Sequence, residues 1–154
     1  MPTPSDRTAS SSANDLLVEA VEQIGDRWSL LVIDALLSGP RRFNELLDDV
    51  DGVAPNILSR RLKQLEVDGV VVAEPYSRRP LRHAYRLTAS GEELAGVLRL
   101  LAQWATARAG GTSGGPAAVG LAHDACGTAL EAQWYCPTCA EPVDSAHTTD
   151  LVWV

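Results

Sequence analysis

Along residues 14–104 the apolar positions recur at helical spacing, then alternate, then return to helical spacing. Leu17, Val21 and Ile24 share one face of a predicted first helix, from about Asn14 to Ile24, with Gly25 ending it. Asp26 is placed to cap a second helix, in which Trp28, Leu31, Val32, Ala35 and Leu36 recur at helical spacing before Gly39-Pro40 stops it. Phe43, Leu46 and Leu47 form the apolar face of a short third helix, and Asp51-Gly52 reads as a turn. A fourth helix begins at Pro55, where a missing N–H costs nothing, and ends at Gly69; Leu58, Leu62 and Leu65 make its stripe. Val70–Glu74 and Arg82–Leu87 are β-type segments joined by a turn that carries Ser77, Arg78, Arg79 and Pro80. Thr88 caps a last long helix with Glu92 and Glu93 at its positive end, and Leu94, Val97, Leu98, Leu101 and Trp104 are its expected buried face.

Three short helices followed by a ribbon is the order of a winged helix-turn-helix, so the expected fold is mainly α with a small β-hairpin wing. The flanks differ in composition. Residues 1–13 are rich in Ser, Thr and Pro and read as a disordered tail. GGTSGGP at 110–116 reads as a flexible linker, which bounds a DNA-binding and dimerisation domain at 14–109 and a small zinc-ribbon-like module at 117–154. No internal repeat is present.

Charge sharpens this picture. The net charge is −7, with 20 acids against 13 Lys plus Arg, which argues against an indiscriminate nucleic-acid coat. Yet Arg41, Arg42, Arg60, Arg61, Lys63, Arg78, Arg79, Arg82 and Arg86 all fall between positions 40 and 90. A locally basic face on an acidic body suits a selective DNA binder. No apolar run approaches the roughly 20 residues that cross a bilayer. The start lacks a basic stretch followed by an apolar core, so the expectation is a cytoplasmic protein with no membrane partner.

On the fourth helix, Asn56, Ser59, Arg60 and Lys63 fall opposite the leucine stripe. The major groove accepts one helix, and its base edges take forked donors and amides. Arg60 can bond guanine twice, and Asn56 can pair with adenine; Ser59 and Lys63 are suited to phosphate. The competing reading is a solvated polar face, which most surface helices have. The ribbon tip tips the balance, because Arg78 and Arg79 in a tight turn can straddle phosphates or enter the minor groove. Arg61 lies nearer the buried stripe and is expected to pair with a carboxylate. Arg41 and Arg42 fit phosphate contact and exposed loop charge equally well.

IGDRWSLLVIDALLSGPRRFNELL, PNILSRRLKQLEVDGVV and YRLTASGEEL occur in that order, ahead of a helix ending in Trp104. In these stretches residues 14–104 resemble the HxlR-type branch of bacterial winged-helix regulators, related to the MarR group. The resemblance implies a homodimeric, sequence-specific transcription factor acting on double-stranded DNA. It also implies first and last long helices that pair across a two-fold axis, and a fourth helix in the major groove. The chain departs from its relatives at two positions: Asp15 stands where many carry a sensing cysteine, and Ala54 where a serine often caps the reading helix. No residues single out a small-molecule effector.

The tail carries a second motif. His123 and Cys126 form one pair and Cys136 and Cys139 another, each with two intervening residues, and nine residues separate the pairs. Zinc takes four such ligands in a tetrahedron, and two tight turns deliver two each. The expected cofactor is therefore one structural zinc, with Gly127 and Pro137 suited to the turns, Trp134 and Tyr135 forming a strand, and His147 as a spare ligand. The alternatives are an unligated tail with chance cysteines and a redox CxxC, but no βαβ unit surrounds the latter. Three cysteines make a poor disulfide framework. No Ser–His–acid set occurs and the glycines at 110–115 lack the Lys of a P-loop, so an enzyme is not expected. The other functional reading is a protein-interaction adaptor using the winged helix and the tail module.

Overall fold

The computed structural model describes residues 13–108, 122–130 and 132–143. These belong to two compact units, Met1–Glu92 and Glu93–Val154. The expected tail over 1–13 (all but Ala13) and the expected linker at 110–116 lie outside the described residues, as does His147.

In the first unit the order is α1 (Ala13–Ile24), α2 (Arg27–Leu37), β1 (Arg41–Arg42), α3 (Phe43–Asp49), α4 (Pro55–Val67), β2 (Val71–Arg78) and β3 (Leu81–Leu87), and α5 (Ala89–Arg108) begins there. The strands form an antiparallel sheet in the order β1-β3-β2. The core is built from Val32, Ile33 and Leu36 of α2, Leu46 of α3, Leu58, Leu62 and Leu65 of α4, and Val70, Val71 and Leu87 of the ribbon. A single apolar cluster thus holds α4 and the base of the wing to one support.

Asp26 starts α2 as expected, its carboxylate accepting the N–H groups of Trp28 at 3.0 Å and Ser29 at 3.2 Å. The phase of the helix differs from the expected one. Ser29, Val32, Ile33 and Leu36 are buried, Trp28 and Ala35 are half-buried, and Leu31 is exposed. Ser29 can face inward because its hydroxyl donates to Asp26, so a polar side chain enters the core already satisfied. Gly39 ends the helix with φ +119, in the region glycine favours.

Two further differences concern strands. β1 is only Arg41–Arg42, pairing with Tyr85 and Ala84, and is too short to show in an alternation pattern. The wing strands run further than expected, to Arg78 on one side and from Leu81 on the other, leaving Arg79-Pro80, joined by a cis peptide, as the turn. The register shifts between Pro75 and Ser77, which places a bulge at Tyr76.

The expected buried face of the last helix is corrected. Val97 is 55% exposed, Leu101 47% and Trp104 60%, and Leu94 and Leu98 are only half-buried. Leu17 and Val21 of α1 are likewise exposed. Helical periodicity marks an apolar stripe but does not say what covers it. The second unit also contains an antiparallel pair, β4 (Trp134–Cys136) and β5 (Glu141–Val143).

Candidate nucleic-acid interface

α4 is positioned at both ends by its own sequence. Ala54 is extended (φ −77, ψ 145) and offers no side-chain cap, but Pro55 occupies the first turn, and the Ala54 carbonyl accepts the Leu58 N–H at 2.9 Å. At the other end Gly69 adopts φ +72, and the Val70 N–H returns to the Leu65 carbonyl at 2.9 Å. Leu58, Leu62 and Leu65 are buried, so the helix cannot roll about its axis. Asn56, Ser59, Arg60 and Lys63, at i, i+3, i+4 and i+7, all lie on the exposed side.

Among the described residues none of these four makes an ion pair or a side-chain hydrogen bond. Their neighbour Arg61 is employed differently. Its Nε lies 3.1 Å from the Asp26 carboxylate, half-buried, in an ion pair that ties α4 to the start of α2. The expected division within α4 therefore appears in the fold: Arg61 faces a carboxylate, and Arg60 and Lys63 face outward.

Arg78 and Arg79 are exposed at the tip of the wing and are likewise unpaired among the described residues. Lower on the ribbon, Arg86 pairs with Glu74 at 2.7 Å across the strands. Arg41 is held by Asp49 at 2.9 Å, and Arg42 stacks on the Tyr76 ring at 4.4 Å. One cluster was not visible in the sequence. Arg42, Tyr76, Arg82 and His83 line an open cleft of about 470 Å³ between the start of α3 and the wing. Cross-strand register brings them together, since Ser77 pairs with Arg82 and Pro75 with His83, and register depends on the bulge.

Residues 23–111 match the family described as HxlR-like helix-turn-helix. The chain belongs to this family. An uncharacterised HTH-type transcriptional regulator of Mycobacterium tuberculosis is 34% identical over 130 residues, covering 84% of this chain and 80% of that protein. The HTH-type transcriptional regulator YodB of Bacillus subtilis is 33% identical over 86 residues, covering 56% of this chain and 77% of YodB. Among solved structures, a MarR-family regulator from Enterococcus faecalis superposes with a TM-score of 0.58 at 30% identity, covering 68% of this chain and 94% of that one.

This HxlR-like match ends at residue 111, and the cysteines lie beyond it. Cys136 ends β4, and its turn returns the chain through Cys139 to β5. Backbone N–H groups of Cys139 and Thr138, then the Cys139 thiol, donate toward the Cys136 sulfur and hold its pKa below the usual thiol value. The same contact with Cys136 raises Cys139. In the other turn His123 Nδ1 lies 3.4 Å from Cys126 Sγ, which donates to the Thr128 hydroxyl oxygen at 3.2 Å; hydrogen bonding with Thr128 lowers the Cys126 pKa. His123 and Cys126 thus lie within hydrogen-bond distance in one turn, and Cys136 and Cys139 share the other. Among the described residues no group of three or more such donors is gathered at one point.

Proposed function

We propose that this protein is a sequence-specific transcriptional regulator that binds double-stranded DNA as a homodimer. The observation that carries this reading is the outward face of α4. Asn56, Ser59, Arg60 and Lys63 are exposed together and unpaired, on a helix locked by three buried leucines. Base readout requires donors held in a set geometry, and the buried leucines hold this face in one beside the two unpaired arginines of the wing tip. Arg60 and Asn56 read base edges, Ser59 and Lys63 contact phosphate, and Arg78 and Arg79 grip the backbone or the minor groove beside it.

Pairing of two chains is supported by the exposed apolar stripes, Leu17 and Val21 on α1 and Val97, Leu101 and Trp104 on α5. A monomer rarely leaves such surfaces bare. Two copies would present two reading helices to half-sites about one helical turn apart.

The test is selection of bound sequences from a random duplex pool with the full chain, followed by affinity measurement over a salt series. The expected result is an enriched palindromic or near-palindromic site, bound below micromolar Kd and weakening steeply with salt. Recovery of no enriched sequence would sink the reading, and co-purification of a stable protein partner in its place would favour an adaptor.

A further inference from the structure

The two turns of the tail are built alike. Gly127 follows Cys126 and Ala140 follows Cys139, and both residues adopt positive φ, +69 and +58. The Gly127 N–H donates to the His123 carbonyl at 2.7 Å, and the Ala140 N–H donates to the Cys136 carbonyl at 2.9 Å. Each ligand-x-x-ligand segment is therefore closed by the same backbone bond. Antiparallel pairing brackets each turn as well, Ala122 with Ala129 around the first and Cys136 with Glu141 around the second. Positive φ is uncommon for a non-glycine residue and persists where the surroundings require it. At Ala140 it is what repeats the geometry of the first turn.

The spacing within the first turn has a chemical meaning. Zinc–nitrogen and zinc–sulfur bonds of about 2.05 and 2.3 Å at a tetrahedral angle put the two donor atoms about 3.5 Å apart. His123 Nδ1 and Cys126 Sγ are 3.4 Å apart. None of the described residues at 122–130 and 132–143 is buried, so this segment has no apolar core. A short hairpin of that kind needs a staple to be stable.

We propose that His123, Cys126, Cys136 and Cys139 bind one zinc ion in a closed tetrahedral site that draws the two turns together. The ion meets neutral imidazole and three thiols. The thiols lose three protons to solvent as three zinc–sulfur bonds form, and no electron is transferred. All four positions come from the chain, so no site is left for water and the ion is structural. The ion itself completes the convergence, as is usual where binding and folding are coupled. This proposal is independent of the DNA reading.

The test uses the full chain purified under reducing conditions without added chelator. Metal content by mass spectrometry is expected at about one zinc per chain, consistent with one four-ligand site. Cobalt substitution should give the intense visible bands of a tetrahedral ion and a thiolate-to-cobalt band of three-thiolate strength. Cys126→Ser, Cys139→Ser and His123→Ala should each weaken metal binding tenfold or more, with His147→Ala leaving it unchanged. Helical circular dichroism of the same samples reports whether the body of each variant is folded. A reduced chain that takes up neither zinc nor cobalt would overturn the proposal, as would a Cys136–Cys139 disulfide in the metal-free protein as purified. Loss of metal in His147→Ala with retention in His123→Ala would overturn the ligand set.

Discussion

Asp26 shows how much one side chain can organise. Its carboxylate caps α2, satisfies the buried Ser29 hydroxyl and faces Arg61 of α4. Asp26→Ala removes a cap worth about 1 kcal/mol and orphans a buried hydroxyl at about 1–3 kcal/mol. The half-exposed ion pair adds little. Urea denaturation should therefore show a loss of about 2–4 kcal/mol; a loss within about 0.5 kcal/mol, typical of neutral surface changes, would mean that Asp26 is only a surface charge. At the proposed interface the residues separate by role. Arg60→Ala should cost about 1–3 kcal/mol on the selected site and relax base preference at one position. Replacing Arg78 and Arg79 together should weaken binding to every sequence alike and reduce the salt slope by about 2. Competition binding with matched and scrambled duplexes distinguishes the two effects.

At the level of elements, the junction between ribbon and last helix is held by both side chain and backbone. The Thr88 hydroxyl donates to the Gly69 carbonyl at 2.6 Å and accepts the Gly91 N–H at 3.2 Å, which ties the end of α4 to the start of α5. Gly91 is buried there, and a Cβ at that position would collide with the Val70 carbonyl oxygen and press on Leu87. The obstacle is backbone, which cannot swing aside. Gly91→Ala is expected to destabilise by about 1–3 kcal/mol, read as a lower thermal midpoint. An unchanged midpoint would show that the helix start can shift freely. This glycine sits in the YRLTASGEEL stretch, where the sequence shows its presence but not the packing that demands it.

At the scale of the whole molecule, Leu17 and Val21 of α1 and Val97, Leu101 and Trp104 of α5 form exposed apolar stripes. If they are the surfaces of a homodimer, placing a charge in one should separate the chains without unfolding the core, because none of the residues involved belongs to it. Val97→Glu together with Leu101→Glu is expected to convert dimer to monomer in sedimentation velocity while leaving most of the helical circular dichroism intact. Loss of the second half-site should weaken operator binding by tenfold or more. A monomeric wild-type chain, or a variant that remains dimeric, would place the interface elsewhere. Among the described residues no helix is long and apolar enough to cross a membrane, so these stripes are not spans.

Local chemistry alone determined the helices, most of their ends, the order of helices and ribbon, the exposed polar face of α4 and the grouping of His123 with Cys126 and Cys136 with Cys139 in two turns. Those features rest on spacing, caps, Pro and Gly, which act within a few residues. Tertiary structure decided what depends on distant partners. It turned Ser29 inward, made a strand of Arg41–Arg42, gave Arg61 its carboxylate and gathered Arg42, Tyr76, Arg82 and His83 around one cleft. It also showed Val97, Leu101 and Trp104 of α5 exposed. Periodicity records that a face is apolar; only the packed molecule shows which surface, its own or another's, is available to meet it.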